Sequence, residues 1–135
     1  GEDASKEEND LVRFIGLKTM SETGSVPVAE LSLELDGQPQ SSSATGDGLV
    51  DAVFKAVEEV VPGTRTLMLY SVNAITEGSD SQGEVSVRLQ EAGRIVNGQG
   101  ADTDIVVASV KAYINGLNKL QGAPHRFNPQ SGETV

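Results

Sequence analysis

The chain repeats itself, and this repeat restricts the fold more than any other feature of its 135 residues. An alternating apolar segment, Leu31-Ser32-Leu33-Glu34-Leu35, returns as Val85-Ser86-Val87-Arg88-Leu89. Each is followed by a turn with glycine, at Gly37 or Gly93, then a short segment, a glycine-rich loop and a helical pattern. The loops are Thr45-Gly46-Asp47-Gly48 and Gly98-Gln99-Gly100-Ala101-Asp102-Thr103-Asp104. Lys111-Ala112 repeats Lys55-Ala56 at an offset of 56 positions.

Both helical segments carry apolar residues at the 3.6-residue period. In the first, Val50, Val53 or Phe54, Val57 and Val60 or Val61 form one stripe, which Pro62-Gly63 ends. In the second, Val106, Val110, Tyr113, Leu117 and Leu120 recur at spacings of four and three. Asp47 is placed to cap the first helix, and Asp102 or Thr103 the second, by accepting bonds from orphan N–H groups. Gly116 inside the second helix points to a close packing contact. A further extended candidate precedes each alternating strand, Leu11 to Met20 and Leu67 to Thr76.

Each half therefore reads strand–strand–strand–helix, over about residues 11–62 and 66–121. Hairpin-linked strands with one face under a helix give an α+β class rather than α/β. Two pseudo-symmetric βββα units packed around a pseudo-twofold axis are expected. Residues 1–10 read as a flexible linker and 122–135, with Pro124, Pro129 and Gly132, as a flexible tail.

Composition excludes several classes of function. Twenty Asp and Glu against ten Lys and Arg give a net charge of -10, which would repel a phosphate backbone. Neither nucleic acid nor an anionic membrane surface is an expected partner. No run of about 20 apolar residues could span a bilayer, and no basic segment leads into an apolar one as in a signal peptide. The chain has no cysteine, so disulfides and thiolate metal sites are excluded; this is compatible with a cytoplasmic location. The one histidine, His125, lies in the tail, and no metal-ligand spacing surrounds the acidic residues.

The candidate sites each have two readings. Gly46-Asp47-Gly48 and Gly98-Gln99-Gly100 precede helices, where free amides and the helix dipole favour a carboxylate. The plainer alternative is a tight turn that needs positive φ. A dinucleotide fingerprint is excluded, because three strands precede each loop and Thr103 stands where a third glycine belongs. Asp47 and Asp51, one helical turn apart, could be an acid–base pair or could hold an ammonium group. They equally fit a cap and a solvated first-turn carboxylate, and Asp102 and Asp104 divide the same way. Tyr70, one of two tyrosines, suits either core or interface.

Three blocks in order resemble the regulatory domain of 2-isopropylmalate synthases. They are Ala44-Thr45-Gly46-Asp47-Gly48-Leu49-Val50-Asp51-Ala52-Val53-Phe54-Lys55-Ala56, Tyr70-Ser71-Val72-Asn73-Ala74-Ile75-Thr76-Glu77-Gly78, and Gly98 through Tyr113. The resemblance covers about residues 11–121, and the third block is its most specific part. It implies a leucine-binding allosteric module, homodimeric and without chemistry of its own. In that family a catalytic barrel in the same chain, holding a divalent metal, condenses acetyl-CoA with 2-oxoisovalerate. The domain itself would need no cofactor.

Carried over by motif, the effector site comprises Gly46, Asp47 and Gly48 with Leu49, Val50 and Asp51 on the first helical turn. Leu67, Tyr70 and Ala74 would form the apolar wall, and Ser81, Gly83, Ala101 and Asp102 would close the pocket. Many relatives have Asn in place of Asp47 and Pro in place of Leu49, so the polar contacts of residue 47 depart from the family pattern. A free amino acid needs a carboxylate site, an ammonium site and an apolar slot, and these residues supply all three. The alternatives are an isoleucine-sensing domain of a citramalate synthase, a module that only dimerises, and an acid–base enzyme using Asp47 and Asp51.

Overall fold

A computed structural model describes residues 10–74 and 81–122. The element order is β1 (Val12–Met20), β2 (Val28–Leu35), β3 (Gln38–Thr45), α1 (Leu49–Val60), β4 (Thr66–Ala74), β5 (Gly83–Glu91), β6 (Arg94–Asp102) and α2 (Ile105–Gly122). The strands make two antiparallel three-stranded sheets, ordered β1-β2-β3 and β4-β5-β6, each followed by its helix. This is the expected α+β arrangement of two βββα units. The tails, with His125, and the segment after Ala74 that holds Ile75 to Gly78 lie outside the described residues.

Alternation sets the inner face of each sheet. Ala29, Leu31 and Leu33 of β2 and Val85, Val87 and Leu89 of β5 are fully buried, while Glu30, Glu34, Arg88 and Gln90 point outward. Both hairpins turn through two residues with positive φ, Asp36-Gly37 (52° and 81°) and Ala92-Gly93 (53° and 81°). Their twist matches that of the flanking strands. Because the turns fix the register, Leu31 corresponds to Val87 and Leu33 to Leu89. The sequence alignment of Leu31 with Val85 is thus two residues out of step, a slip that leaves every side chain on its proper face. Each first strand bulges at the equivalent place, between Phe14 and Gly16 and between Leu67 and Leu69.

The helices cover the inner faces. Ala52, Val53, Phe54, Ala56 and Val57 of α1 and Val110, Tyr113, Leu117 and Leu120 of α2 are buried in one continuous core. The halves are joined by polar contacts as well. Asn118 of α2 accepts the Val12 N–H at 2.9 Å and donates to the Val12 carbonyl at 2.8 Å, satisfying both edge groups of that strand residue. Tyr113 donates to Glu58 of α1 at 3.1 Å, and its ring lies 4.8 Å from that of Phe54. The Arg65 side chain, 2% exposed, donates to the Val61 carbonyl at the end of α1 and pairs with Glu91 at 3.7 Å. Arg94 plays the matching part for α2, donating to the carbonyls of Leu120 and Lys119. Such C-terminal arginines satisfy orphan carbonyls and complement the helix dipole.

Candidate functional site

The first glycine loop is a loop, but not for the backbone reason considered above. Neither Gly46 nor Gly48 has positive φ; Gly48 is extended at φ −153°. Gly46 is required by space, since a Cβ there would lie 2.5 Å from the Ala52 nitrogen. Gly48 is the N-cap of α1 and, having no side chain, makes no cap hydrogen bond. The expected cap Asp47 does not cap. It is exposed, and its own N–H donates to Asp51 Oδ2 at 2.9 Å. The reason is placement: Asp47 sits one residue too early for its side chain to reach the second and third amides of the helix. Those amides, of Val50 and Asp51, belong to the first turn, where α-helical bonding leaves donors unpaired. Asp51 also pairs with Lys55 at 3.2 Å. The Asp47 amide first, and then Lys55, hold its carboxyl below the usual 3.8.

The second helix start is built differently. Gly98 and Gly100 are not in a loop but on β6, on the face that α2 covers. A Cβ at Gly98 would lie 2.2 Å from the Ala112 carbonyl oxygen, and one at Gly100 2.5 Å from the Ala112 nitrogen. These glycines let the helix lie almost on the sheet backbone. At the matching place in the first half, Ser42 of β3 donates to the Ala56 carbonyl at 2.7 Å. The cap is neither Asp102 nor Thr103 but Asp104, whose Oδ1 accepts the Val106 N–H at 2.8 Å. Asp104 occupies the position equivalent to Gly48. Asp102 instead accepts the Asp104 N–H at 2.9 Å and pairs with Lys111 at 3.0 Å. The amide of Asp104, followed by Lys111, lowers its pKa from the usual 3.8. The two helix starts thus differ in kind: α2 is filled by its own carboxylate and α1 is not.

Sheet register groups the other candidates. Ala74 at the end of β4, Gly83 at the start of β5 and Asp102 at the end of β6 form one row across the second sheet. Ile105, the first residue of α2, packs against Gly83 so closely that a Cβ there would lie 2.2 Å from its Cδ1. Tyr70 and Leu67 lie on the same inner face, opposite Val87 and Leu89. Ala101 falls on the outer face by alternation, away from that group, and Ser81 is exposed ahead of β5. The α1 group, from Gly46 through Leu49 and Val50 to Asp51, is linked to β4 by one aromatic contact. The Phe54 and Tyr70 rings meet edge-on at 6.0 Å. Among the described residues no hydrogen bond or ion pair joins the two groups.

Beyond the expected set, the structure adds Phe54 and Ser109. Ser109 is the one fully buried polar residue in the described core, and its hydroxyl lies 2.7 Å from that of Tyr70. A serine flanked by Ala108 and Val110 in a helical stripe signals burial, but nothing local names its partner.

Two further properties bound the chemistry. Among the described residues no cluster of three or more His, Cys, Asp or Glu could hold a metal ion. No described helix is long and apolar enough to cross a membrane.

Comparison with known proteins agrees with this architecture. The model of the LeuA allosteric (dimerisation) domain matches residues 2–121. Relatives named 2-isopropylmalate synthase include that of Hydrogenovibrio crunogenus, 52% identical over 124 residues, which are 92% of this chain and 24% of that protein. Those of Aromatoleum aromaticum and Chromobacterium violaceum are 56% and 57% identical, covering 87% and 84% of this chain and 23% and 22% of their own lengths. The chain spans about a quarter of the length of these curated relatives. With its repeat, its paired sheets and a match over most of its length, the chain belongs to the LeuA allosteric (dimerisation) domain family.

Proposed function

We propose that this domain binds leucine and, as a homodimer, serves feedback inhibition of a cytoplasmic 2-isopropylmalate synthase. In this reading a barrel elsewhere in the longer polypeptide, with its divalent metal, condenses acetyl-CoA and 2-oxoisovalerate, and the domain performs no chemistry. The observation that carries the proposal is the open start of α1, where a capless Gly48 leaves first-turn amides for a carboxylate. Asp51 beside them, already ionised and balanced by Lys55, supplies a partner for an ammonium group. A zwitterionic amino acid fits this pairing better than a simple anion does. The inner face of β4, with Leu67 and Tyr70, supports an apolar slot of leucine size, whose burial contributes roughly 1.5–3 kcal/mol.

The slot is not enclosed within one chain. Leu67, Met68, Leu69 and Val72 are 41–47% exposed along β4, an edge strand paired only with β5. Such a patch favours a second copy as the missing wall. The named relatives are all 2-isopropylmalate synthases, which favours leucine over isoleucine as the effector. Thermal unfolding with leucine, isoleucine, valine and norleucine tests this. At about 100 times its Kd, leucine is expected to stabilise the fold by about 2.7 kcal/mol. A larger shift with isoleucine would move the domain to the citramalate branch, and no shift with any of the four would leave dimerisation as its role.

A further inference from the structure

Ser109 lies outside the expected site, yet it is fully buried and carries one hydroxyl proton. Its Oγ lies 2.8 Å from the Ile105 carbonyl oxygen, which can only accept. The Ser109 proton is therefore committed to Ile105, as in helical serines that bond back one turn. The 2.7 Å contact with Tyr70 then has only one consistent direction, the phenol donating to Ser109 Oγ. A two-link chain results, from the Tyr70 hydroxyl on β4 through Ser109 to the first residue of α2. The Tyr70 ring is held at both ends, by this chain at its tip and by the edge-on Phe54 ring at 6.0 Å on its flank. The neighbouring inner-face residues Leu67 and Val72 have no such anchor and remain over 40% exposed.

Resting on the leucine reading above, we infer that Ser109 is a specificity-determining positioning residue, locking Tyr70 as a rigid wall that distinguishes γ-branched from β-branched side chains. Leucine and isoleucine carry the same atoms and charges, so only the shape of an apolar slot can tell them apart, and a yielding wall accepts both. Preorganisation of one aromatic wall is how a slot of a few side chains becomes selective. Phe54 alone constrains the plane of the ring but not the position of its hydroxyl end. The hydrogen bond to Ser109 supplies that second constraint, and its strength, about 1 kcal/mol for a neutral pair, corresponds to roughly a fivefold effect.

The test measures the Kd of leucine and of isoleucine by calorimetry for the native chain, Ser109→Ala, Tyr70→Phe and the double variant, with unfolding midpoints as a control for folding. The expected result is that each single variant still binds but loses about fivefold in the isoleucine-to-leucine Kd ratio. The double variant should lose no more than either single one, because both break the same link. A purely structural role for Ser109 would weaken both amino acids equally and leave the ratio where it was; that outcome overturns the inference alone. Additive losses in the double variant overturn it too. If Ser109→Ala does not fold, Tyr70→Phe decides, since it breaks the link while leaving the Ser109–Ile105 bond in place. A native chain that binds neither amino acid removes the leucine reading and this inference with it.

Discussion

Ala92 holds φ 53° at the first position of the β5–β6 turn, where its counterpart in the first half is Asp36. The left-handed region costs an L-residue roughly 1 kcal/mol or more, and alanine has no side-chain oxygen to offset it. Ala92→Gly is therefore expected to stabilise the domain by about 1 kcal/mol in urea unfolding. A loss of stability would show that the turn is not of the type described. Gly98 and Gly100 belong to the same scale but a different cause. They are selected by the backbone of α2 lying against them and not by their own dihedral angles. From the sequence the two causes look identical, since a glycine pair before a helix fits a ligand loop, a turn or a close approach. The loop reading was right for Gly46 and Gly48 and wrong for Gly98 and Gly100, because what distinguishes them is the separation between helix and sheet.

At the scale of elements, the two helix starts place their carboxylates differently, and only that of α2 caps the helix. In α2 the carboxylate sits on the N-cap, Asp104, and Asp102 ties the approach to Lys111. In α1 it sits on the first turn, at Asp51, and reaches back to Asp47. Sequence patterning located both starts to within a residue or two but assigned the wrong caps, because a shift of one position decides which side chain meets which amide. The depressed pKa values have a sign that can be checked. A carboxyl held below 3.8 in the fold contributes stability above that value, and the contribution is lost as the pH falls through the folded pKa. Asp102→Asn should accordingly lower the unfolding midpoint slightly near neutrality and flatten its loss below about pH 4, where the native chain gives up the same contribution. A native-like acid limb in this variant would mean that Asp102 contributes nothing through its charge; its side chain is 26% exposed and paired near the surface, so solvent screening keeps the effect small.

At the scale of the whole molecule, the repeat is symmetric in topology and asymmetric in what it exposes. Both halves share sheet order, turn geometry and bulge position, yet the first strand of the second half leaves four large apolar side chains half uncovered. Val72 lies on the inner face, opposite the buried Val85, but no helix closes over it. Val72→Lys should leave the unfolding midpoint of the isolated fold nearly unchanged, because the side chain is already 44% exposed. It should weaken self-association by about tenfold or more if β4 is buried between copies, since a buried unpaired charge is costly. Sedimentation of the native chain and the variant over a concentration series checks this. Equal association would place the dimer contact elsewhere.

The elements and the inner faces of this domain were legible in its residues alone, because periodicity follows from local geometry. A 3.6-residue stripe must be a helix face, and an alternating strand must bury every second residue. The same local logic located the turns at Gly37 and Gly93 and predicted Gly116 as a contact residue, which packs on Leu89. The polar β3, with Pro39 and Ser41-Ser42-Ser43, carries little strand signal of its own and is held by pairing with β2 beneath α1. Contacts between residues distant in the chain were decided only by the tertiary structure: Tyr70 with Ser109, Phe54 with Tyr70, Asn118 with Val12, and Ala101 turned away from the site it was expected to close. Their energies depend on distances of a few tenths of an ångström between elements, and no local pattern encodes those distances.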